Sequence, residues 1–208
     1  MIRSSMQRLR QSFRRSRYRT LCELMNVDRV KGFVLDLGGG SASFFAAAYH
    51  KPDRIILLDV DLNPVREAKE RYPGLCFIVA DGERLPLANS SIGMTVCNSV
   101  IEHVDDPDAL AAEIRRVSQS FFLQTPNKDF PLETHSFVAI PFYHFIPWTW
   151  LRRFVCELVG ADYEYVSGVR YLSEQRLKQL FPEAAIAYEK VLAWKKSFYI
   201  YRPATNSR

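Results

Sequence analysis

The chain has 208 residues, 48% hydrophobic, 25% charged and 13% aromatic, the balance of one globular domain that can bury a core without metals or disulfides. Its formal charge of +5 is uneven: residues 1–32 hold nine Lys/Arg against two acids, and the remainder is net negative. Bulk charge therefore gives no argument for a nucleic-acid partner. The longest apolar run, Val138–Leu151, is too short and too interrupted by Pro141, His144 and Pro147 to span a bilayer.

Residues 1–32 lack the long apolar stretch of a secretory signal. Ile2, Met6, Leu9 and Phe13 recur at helical spacing among arginines. This predicts a basic helical arm whose apolar stripe packs on the domain and whose arginines are solvated. An Arg- and Ser-rich transit segment has the same pattern. Residues 33–208 form the domain proper. Strands are expected at Phe33–Leu37, Arg54–Asp61, Leu75–Ala80, Gly93–Asn98 and Ser120–Gln124. Helices are expected at Ser41–His50, from Asn63-Pro64 to about Arg71, and at Pro107–Val117. Such alternation predicts βαβ units and a mostly parallel sheet.

Residues 126–170 break the rhythm with four prolines, His135, His144 and a dense aromatic set. They read as a lid inserted after the fifth strand, able to close over an apolar or sugar-like acceptor; a plain hydrophobic satellite core is the alternative. Within them the aromatic-basic segment 142–153, with Trp148, Trp150, Arg152 and Arg153, has the composition of a peripheral membrane contact. A helix at Ser173–Leu180 follows. Two closing strands, Ala184–Leu192 and Ser197–Arg202, are expected to be linked at Trp194-Lys195-Lys196. The four cysteines show no metal or redox spacing. Cys76 and Cys97 lie in apolar runs and read as buried, reduced thiols of a cytoplasmic protein.

The central signal is Val34-Leu35-Asp36-Leu37-Gly38-Gly39-Gly40-Ser41, between a strand and a helix. Glycines allow a sharp turn and close backbone approach to a ligand. Asp61 follows at the end of the second strand, where a carboxylate can accept ribose hydroxyls; Asp59 competes with it. Asp36 before the glycines, and Ser43 where a dinucleotide fingerprint has its third glycine, speak against a dehydrogenase. No Walker lysine is present.

The series VLDLGGGSASF, LLDVDLNP, ADGERLP and MTVCNSVIEHV resembles the class I S-adenosylmethionine-dependent methyltransferases. The later FFLQTPNKDFPLETHSF and RYLSEQRLKQLFP are similar to a type 11-like bacterial branch of that family. The resemblance implies a Rossmann-like three-layer α/β sandwich. Its mostly parallel, seven-stranded sheet would have an antiparallel C-terminal strand and a lid insertion after strand 5. It implies S-adenosylmethionine as cofactor. Gly38 and Gly40 would lie under the methionine part and Asp36 would orient its amino group. Asp61 would take the ribose and Leu62 would lie beside the adenine. Asp81 and the Gly82 backbone would hold the adenine ring, and Asn98 and Ser99 would pass beneath the sulfonium. One departure is Ala42, where the family's G-x-G-x-G pattern has its third glycine.

Methyl transfer from a sulfonium needs mainly positioning and exclusion of water. A base is needed only when the acceptor is a hydroxyl or a protonated amine. Two acid–histidine pairs could supply one: Glu102-His103 after the fourth strand, and Glu133-x-His135 in the lid. His103 could instead only shape the cofactor pocket, and His144 reads as a packed core histidine. Glu133, His135 and His144 lack metal-site spacing, so no metal is expected. The expected activity is methyl transfer to a small-molecule acceptor, on oxygen of a sugar, lipid-linked saccharide or related metabolite. The alternatives are an RNA or protein methyltransferase using the basic arm, and a non-catalytic cofactor-binding partner. After the fourth strand Asn98-Ser99-Val100 replaces the N-P-P-type motif of base-amino methyltransferases, which argues against nucleic acid.

Overall fold

The computed structural model describes residues 2–133, 140, 141, 143 and 146–204, with residues 2–10, 132, 133, 140, 141 and 165 described by backbone alone. In chain order it runs α1 (Ile2–Met25), β1 (Val34–Leu37), β2 (Ile55–Asp59), α2 (Leu62–Arg71), β3 (Cys76–Val79), β4 (Met94–Asn98), α3 (Pro107–Val117) and β5 (Phe121–Pro126). There follow β6 (Leu132–Glu133), β7 (Ile140–Pro141), α4 (Thr149–Val159), α5 (Tyr163–Ser167), α6 (Glu174–Leu180), β8 (Ala185–Val191) and β9 (Trp194–Arg202). The main sheet has seven strands in the order β3-β2-β1-β4-β5-β9-β8. Strands β1 to β5 pair in parallel, and β9 lies antiparallel to both β5 and β8. This is the sandwich that the resemblance implies.

The inner strands are covered on both faces, which is why they read as continuous apolar runs rather than alternating ones. Val34, Ile55, Leu57, Met94 and Val96 face a layer made by α1, α2 and the Phe44–Tyr49 turn. Leu35, Leu37, Ile56, Leu58 and Leu123 face α3 and α6. Helix α1 docks through Leu21 and Met25, both buried, at about 1.5–3 kcal/mol for each side chain; of the expected stripe Phe13 is half-buried, and the side chains of Ile2, Met6 and Leu9 lie outside the description. Helix α3 starts where Asp106 accepts from the backbone N–H groups of Asp108 and Ala109, with Pro107 in the first turn, a position that needs no N–H donor.

Several expectations are corrected. Ser41–His50 is not a continuous helix. It is a 3-10 turn, Gly40–Ala42, followed by one turn in which Ser43 Oγ accepts from the N–H groups of Phe45 and Ala46. The segment is pinned at both ends: Phe44, Phe45 and Tyr49 are drawn into the core, and Pro52 follows closely. The closing hairpin turns at Leu192-Ala193, with Leu192 at φ 54°, and Trp194–Lys196 belong to β9. Lys196 faces inward to Glu189, so it could not serve as a link. Cys76 is exposed, because β3 is an edge strand, whereas Cys97 and Cys156 are buried; all four thiols are free. His135 and His144 lie outside the described residues. Among the described residues no helix is long and apolar enough to cross a membrane.

Candidate active site

The site lies at the carboxyl ends of β1, β2 and β4. The chain leaves β1 toward β2 on one side, and β4 flanks it on the other. Open parallel sheets bind ligands at such a switch of strand order. Gly38 makes the turn possible. It adopts φ 68°, a conformation that costs other residues about 1–2 kcal/mol. A β-carbon there would also collide with the Val100 side chain.

Two cavities meet at Gly38. The wider one, of about 300 Å³, is walled by Leu58, Asp59, Val60, Asp81, Gly82 and His103, among others. It falls at the lower end of the usual range for ligand pockets. Its acids are held by their own loops. Asp59 Oδ1 accepts from the N–H of Asp61 at 3.1 Å, and Asp81 Oδ1 accepts from the N–H of Glu83 at 2.9 Å. The narrower cavity, about 50 Å³, is lined by Asp36, Gly38, Gly39, Ser43, Asn98, Arg14 and Arg17, with Ala42 and Phe44.

Asp36 is buried and accepts a hydrogen bond from Ser43 Oγ. Burial pushes its carboxyl up to about 7; the Ser43 bond opposes the rise and the Asp59 charge adds to it. Asn98 accepts from Arg17 at 2.6 Å. Arg17 also meets Glu189, which pairs with Lys196 at 3.0 Å. Burial alone would raise the Glu189 carboxyl, but Arg17 and Lys196 together hold it below its ordinary value.

The structure thus brings Asp36, Gly38 and Asn98 to one cavity and Asp81, Gly82 and His103 to the other. Gly40, at φ 51°, backs onto the Asp59 carboxylate. Asp61, Leu62 and Ser99 line neither cavity. Asp61 is exposed just before α2, and Leu62 is exposed in its first turn. Ser99 turns its hydroxyl to Gln124 Oε1. The acid on the cavity wall is therefore Asp59, which the D-x-N-P setting had ranked second. Glu102 is buried and accepts from Thr125 Oγ1 at 3.0 Å, while His103 beside it is exposed. Glu133 ends β6, paired opposite Ile140. No cluster of metal-ligating side chains is present among the described residues. Arg17 and Arg14 are the site residues that the sequence reading missed, having assigned the arginines of the arm to solvent.

Residues 35–121 match the family model described as a methyltransferase domain. The chain is 31% identical over 96 residues to malonyl-[acyl-carrier protein] O-methyltransferase of Hamiltonella defensa, covering 46% of this chain and 37% of that protein. It is also 31% identical over 86 residues to an uncharacterized methyltransferase of Mycobacterium sp. strain KMS, covering 41% and 34%. The chain thus spans little more than a third of the length of these relatives. A ubiquinone/menaquinone biosynthesis C-methyltransferase of Desulfotalea psychrophila is 27% identical over 179 residues, covering 77% and 69%.

Among solved structures, magnesium protoporphyrin IX methyltransferase from Synechocystis PCC 6803, with S-adenosylhomocysteine bound, superposes with a TM-score of 0.61. The identity is 13%, over 93% of this chain and 83% of that one. An S-adenosylmethionine-dependent methyltransferase from Mesorhizobium loti gives 0.57 at 15% identity, over 83% and 91%. The fold is that of the class I S-adenosylmethionine-dependent methyltransferases.

The residues present suit that cofactor. Its amino-acid end carries both charges and its nucleoside end offers hydroxyls and an amino group. The narrow cavity offers a buried carboxyl and guanidinium groups, and the wide one offers acceptor carboxylates.

Proposed function

We propose that this protein transfers a methyl group from S-adenosylmethionine to a small-molecule acceptor in the cytoplasm, on oxygen of a sugar, lipid-linked saccharide or related metabolite. The observation that carries the reading is the groove divided at Gly38, with groups of both charges at one end and carboxylates at the other. The insertion after β5 supports a small acceptor. It has its own small core of Tyr143, Cys156 and Val166, and it is tied to the segment after β4 where the Arg170 N–H donates to the Glu102 carbonyl at 2.8 Å. Two relatives carry names that indicate acyl and quinone-type acceptors.

S-adenosylmethionine supplies a methyl group already activated on a sulfonium. The chain's own work is then to hold and to exclude water. Asp36 and Asn98, over the Gly38-Gly39-Gly40 turn, would hold the methionine part. Asp59 would accept from the ribose, and Asp81 with Gly82 would hold the adenine edge. His103 stands on the nucleoside side and suits a wall of that pocket. His135, two residues after Glu133 in the sequence, is the residue we assign to remove the acceptor's proton, because an imidazole fits that task.

An acceptor presented at a lipid surface is favoured by one further observation. Trp150, Phe154 and Leu158 lie four residues apart on α4, and with Trp148 they are each more than half exposed. That spacing forms one apolar helix face, with Arg152 and Arg153 beside it.

The test is calorimetric titration of the purified protein with S-adenosylmethionine, S-adenosylhomocysteine and NADH, followed by acceptor screening with labelled cofactor. Saturable binding of the first two, and turnover that His135→Ala removes without loss of binding, is the expected result. Binding without turnover on any acceptor would make the protein a cofactor-binding partner, and binding of NADH alone would end the reading.

A further inference from the structure

The β8–β9 hairpin ends in a turn built from residues that turns disfavour. Val191 pairs with Trp194, so Leu192-Ala193 is a two-residue loop. Leu192 sits at φ 54°, where such loops favour Gly, Asn or Asp and where a branched apolar side chain is strained. That side chain is 95% exposed, and Trp194 beside it is 54% exposed. Lys190 and Lys195, both exposed, flank the pair. A strained leucine set in water stabilises neither the turn nor the core, and such a feature marks a contact made outside the chain.

The turn projects from the end of the sheet that carries the site. Ser197 pairs with Pro126, the last residue of β5, so the tip stands roughly 10 Å past that strand. The insertion after β5 leaves from the base of the hairpin, where Asn127 donates its N–H to the Lys196 carbonyl and its side-chain amide to the Lys195 carbonyl, both at 2.9 Å. Helix α1 heads the same way. Its C-terminal end leads into β1, Arg17 is level with Asn98 at the end of β4, and the Phe13 ring centre lies 3.8 Å from Lys196 Nζ. The helix begins at Ile2 and so continues for roughly 22 Å past Arg17, at about 1.5 Å per residue.

Residues 1–22 hold seven arginines and no acid. Arg15 and Arg19, one helical turn apart, are exposed. Cations around apolar side chains set in water match a bilayer with anionic headgroups. The headgroups take the guanidinium charge, and the acyl boundary takes leucine and indole. An RNA strand would take the charge and leave Leu192 in water. A second copy of this chain would set like charge against like.

We propose that the Leu192–Trp194 tip and the arginine-bearing outer part of α1 form a docking surface for an anionic lipid bilayer, which turns the open end of the site toward the membrane. The inference rests on the reading of an acceptor at a lipid surface and adds a contact independent of α4. Apolar insertion and a basic patch together hold a protein at a bilayer where one alone is marginal.

The test is flotation with vesicles of phosphatidylcholine, with and without phosphatidylglycerol. The wild-type chain floats with the mixed vesicles and not with phosphatidylcholine alone. Leu192→Asn relieves the turn, because asparagine tolerates a positive φ. Its thermal midpoint holds or rises while vesicle affinity falls roughly 10-fold, the scale of one leucine withdrawn from hydrocarbon. Arg15→Ala with Arg19→Ala lowers vesicle affinity roughly 10- to 30-fold. S-adenosylhomocysteine binding in solution is unchanged in both variants, which separates this surface from the cofactor site. In Trp148→Phe with Trp150→Phe, Trp194 is the remaining tryptophan, and its emission shifts to the blue on the mixed vesicles. Flotation kept in Leu192→Asn but lost in Trp150→Ser with Phe154→Ser, with no shift at Trp194, would overturn the hairpin and leave the lipid-surface reading standing. The opposite pattern would uphold the hairpin and take α4 off the membrane. No flotation of the wild type would overturn both. Without flotation, RNA binding that Arg15→Ala with Arg19→Ala abolishes, or dimerisation that Leu192→Asn abolishes, would give the surface to that partner instead.

Discussion

A β-carbon at Gly39 would stand 2.6 Å from Asp36 Oδ2. The buried carboxylate of β1 occupies the space that a side chain three residues later would require, and Ser43 Oγ fixes it there. Turn and carboxylate are thus one unit. Gly39→Ala must displace Asp36 or the turn itself. We expect it to weaken S-adenosylhomocysteine binding by roughly 100-fold, the cost of a misplaced binding group, and to lower the thermal midpoint. Calorimetry and a melting curve check this, and a variant that binds like the wild type would refute the fit.

Asp36 also makes a pH prediction. Its folded value of about 7 lies above the ordinary carboxylate range because burial favours the neutral acid. A raised value means that the folded state holds the proton more tightly than the unfolded chain. Its contribution to stability is therefore full below about pH 4 and is lost as pH rises to about 7. In the ligand-free protein, chemical denaturation between about pH 4.5 and about pH 7.5 should show this decline, and Asp36→Asn should remove it. Binding runs the other way. A cationic ammonium favours the ionised carboxylate, so cofactor affinity should strengthen through neutrality in the wild type and stay flatter in Asp36→Asn.

Asp59 and Asp61 can be told apart. Asp59 lines the wide cavity, and Asp61 donates its N–H to the Asp59 carboxylate from outside it. We expect Asp59→Asn to cost roughly 10- to 100-fold in cofactor affinity and Asp61→Asn to cost much less. The reverse order in a titration would return the ribose to Asp61.

The exposed face of α4 should bind lipid. Vesicles with an anionic lipid fraction should carry the wild-type chain in a flotation assay. Trp150→Ser with Phe154→Ser should leave it behind. Stability should change by only about 0.5 kcal/mol per site, since these side chains are exposed. Equal flotation of variant and wild type would dismiss the membrane surface.

What was legible in the sequence follows from where its signals are local. The β1 and β2 runs announced themselves because both of their faces are covered. Helix α3 did so through Asp106, Pro107 and an apolar stripe within one window. The Gly38 turn was legible for the same reason. The Ser41–His50 helix was misread because Phe44, Phe45 and Tyr49 match a helical face, while the turn that they form is decided by contacts across the core. Cys76 was misread because edge position in a sheet is a property of strand order, not of the strand. Arg17 was the least legible. An arginine on a basic helix reads as solvated until the helix is known to lie against β9, and its partner Glu189 is 172 residues away. Asp59 and Asp61 share a face by alternation, so only the three-dimensional rim separates them.

That 172-residue span gives the site an order of assembly. The walls of the wide cavity come from residues 37 to 105, which can pair among themselves. The narrow cavity is bounded by Arg17, and Arg17 is seated against the β8–β9 hairpin. Strand β9 enters the sheet between β5 and β8, so an interior strand lies far along the sequence from the strands that flank the glycine turn. Closing so long a loop is slow compared with local pairing. The wide cavity thus draws on one stretch of sequence, whereas the narrow one is complete only when two distant parts of the chain meet.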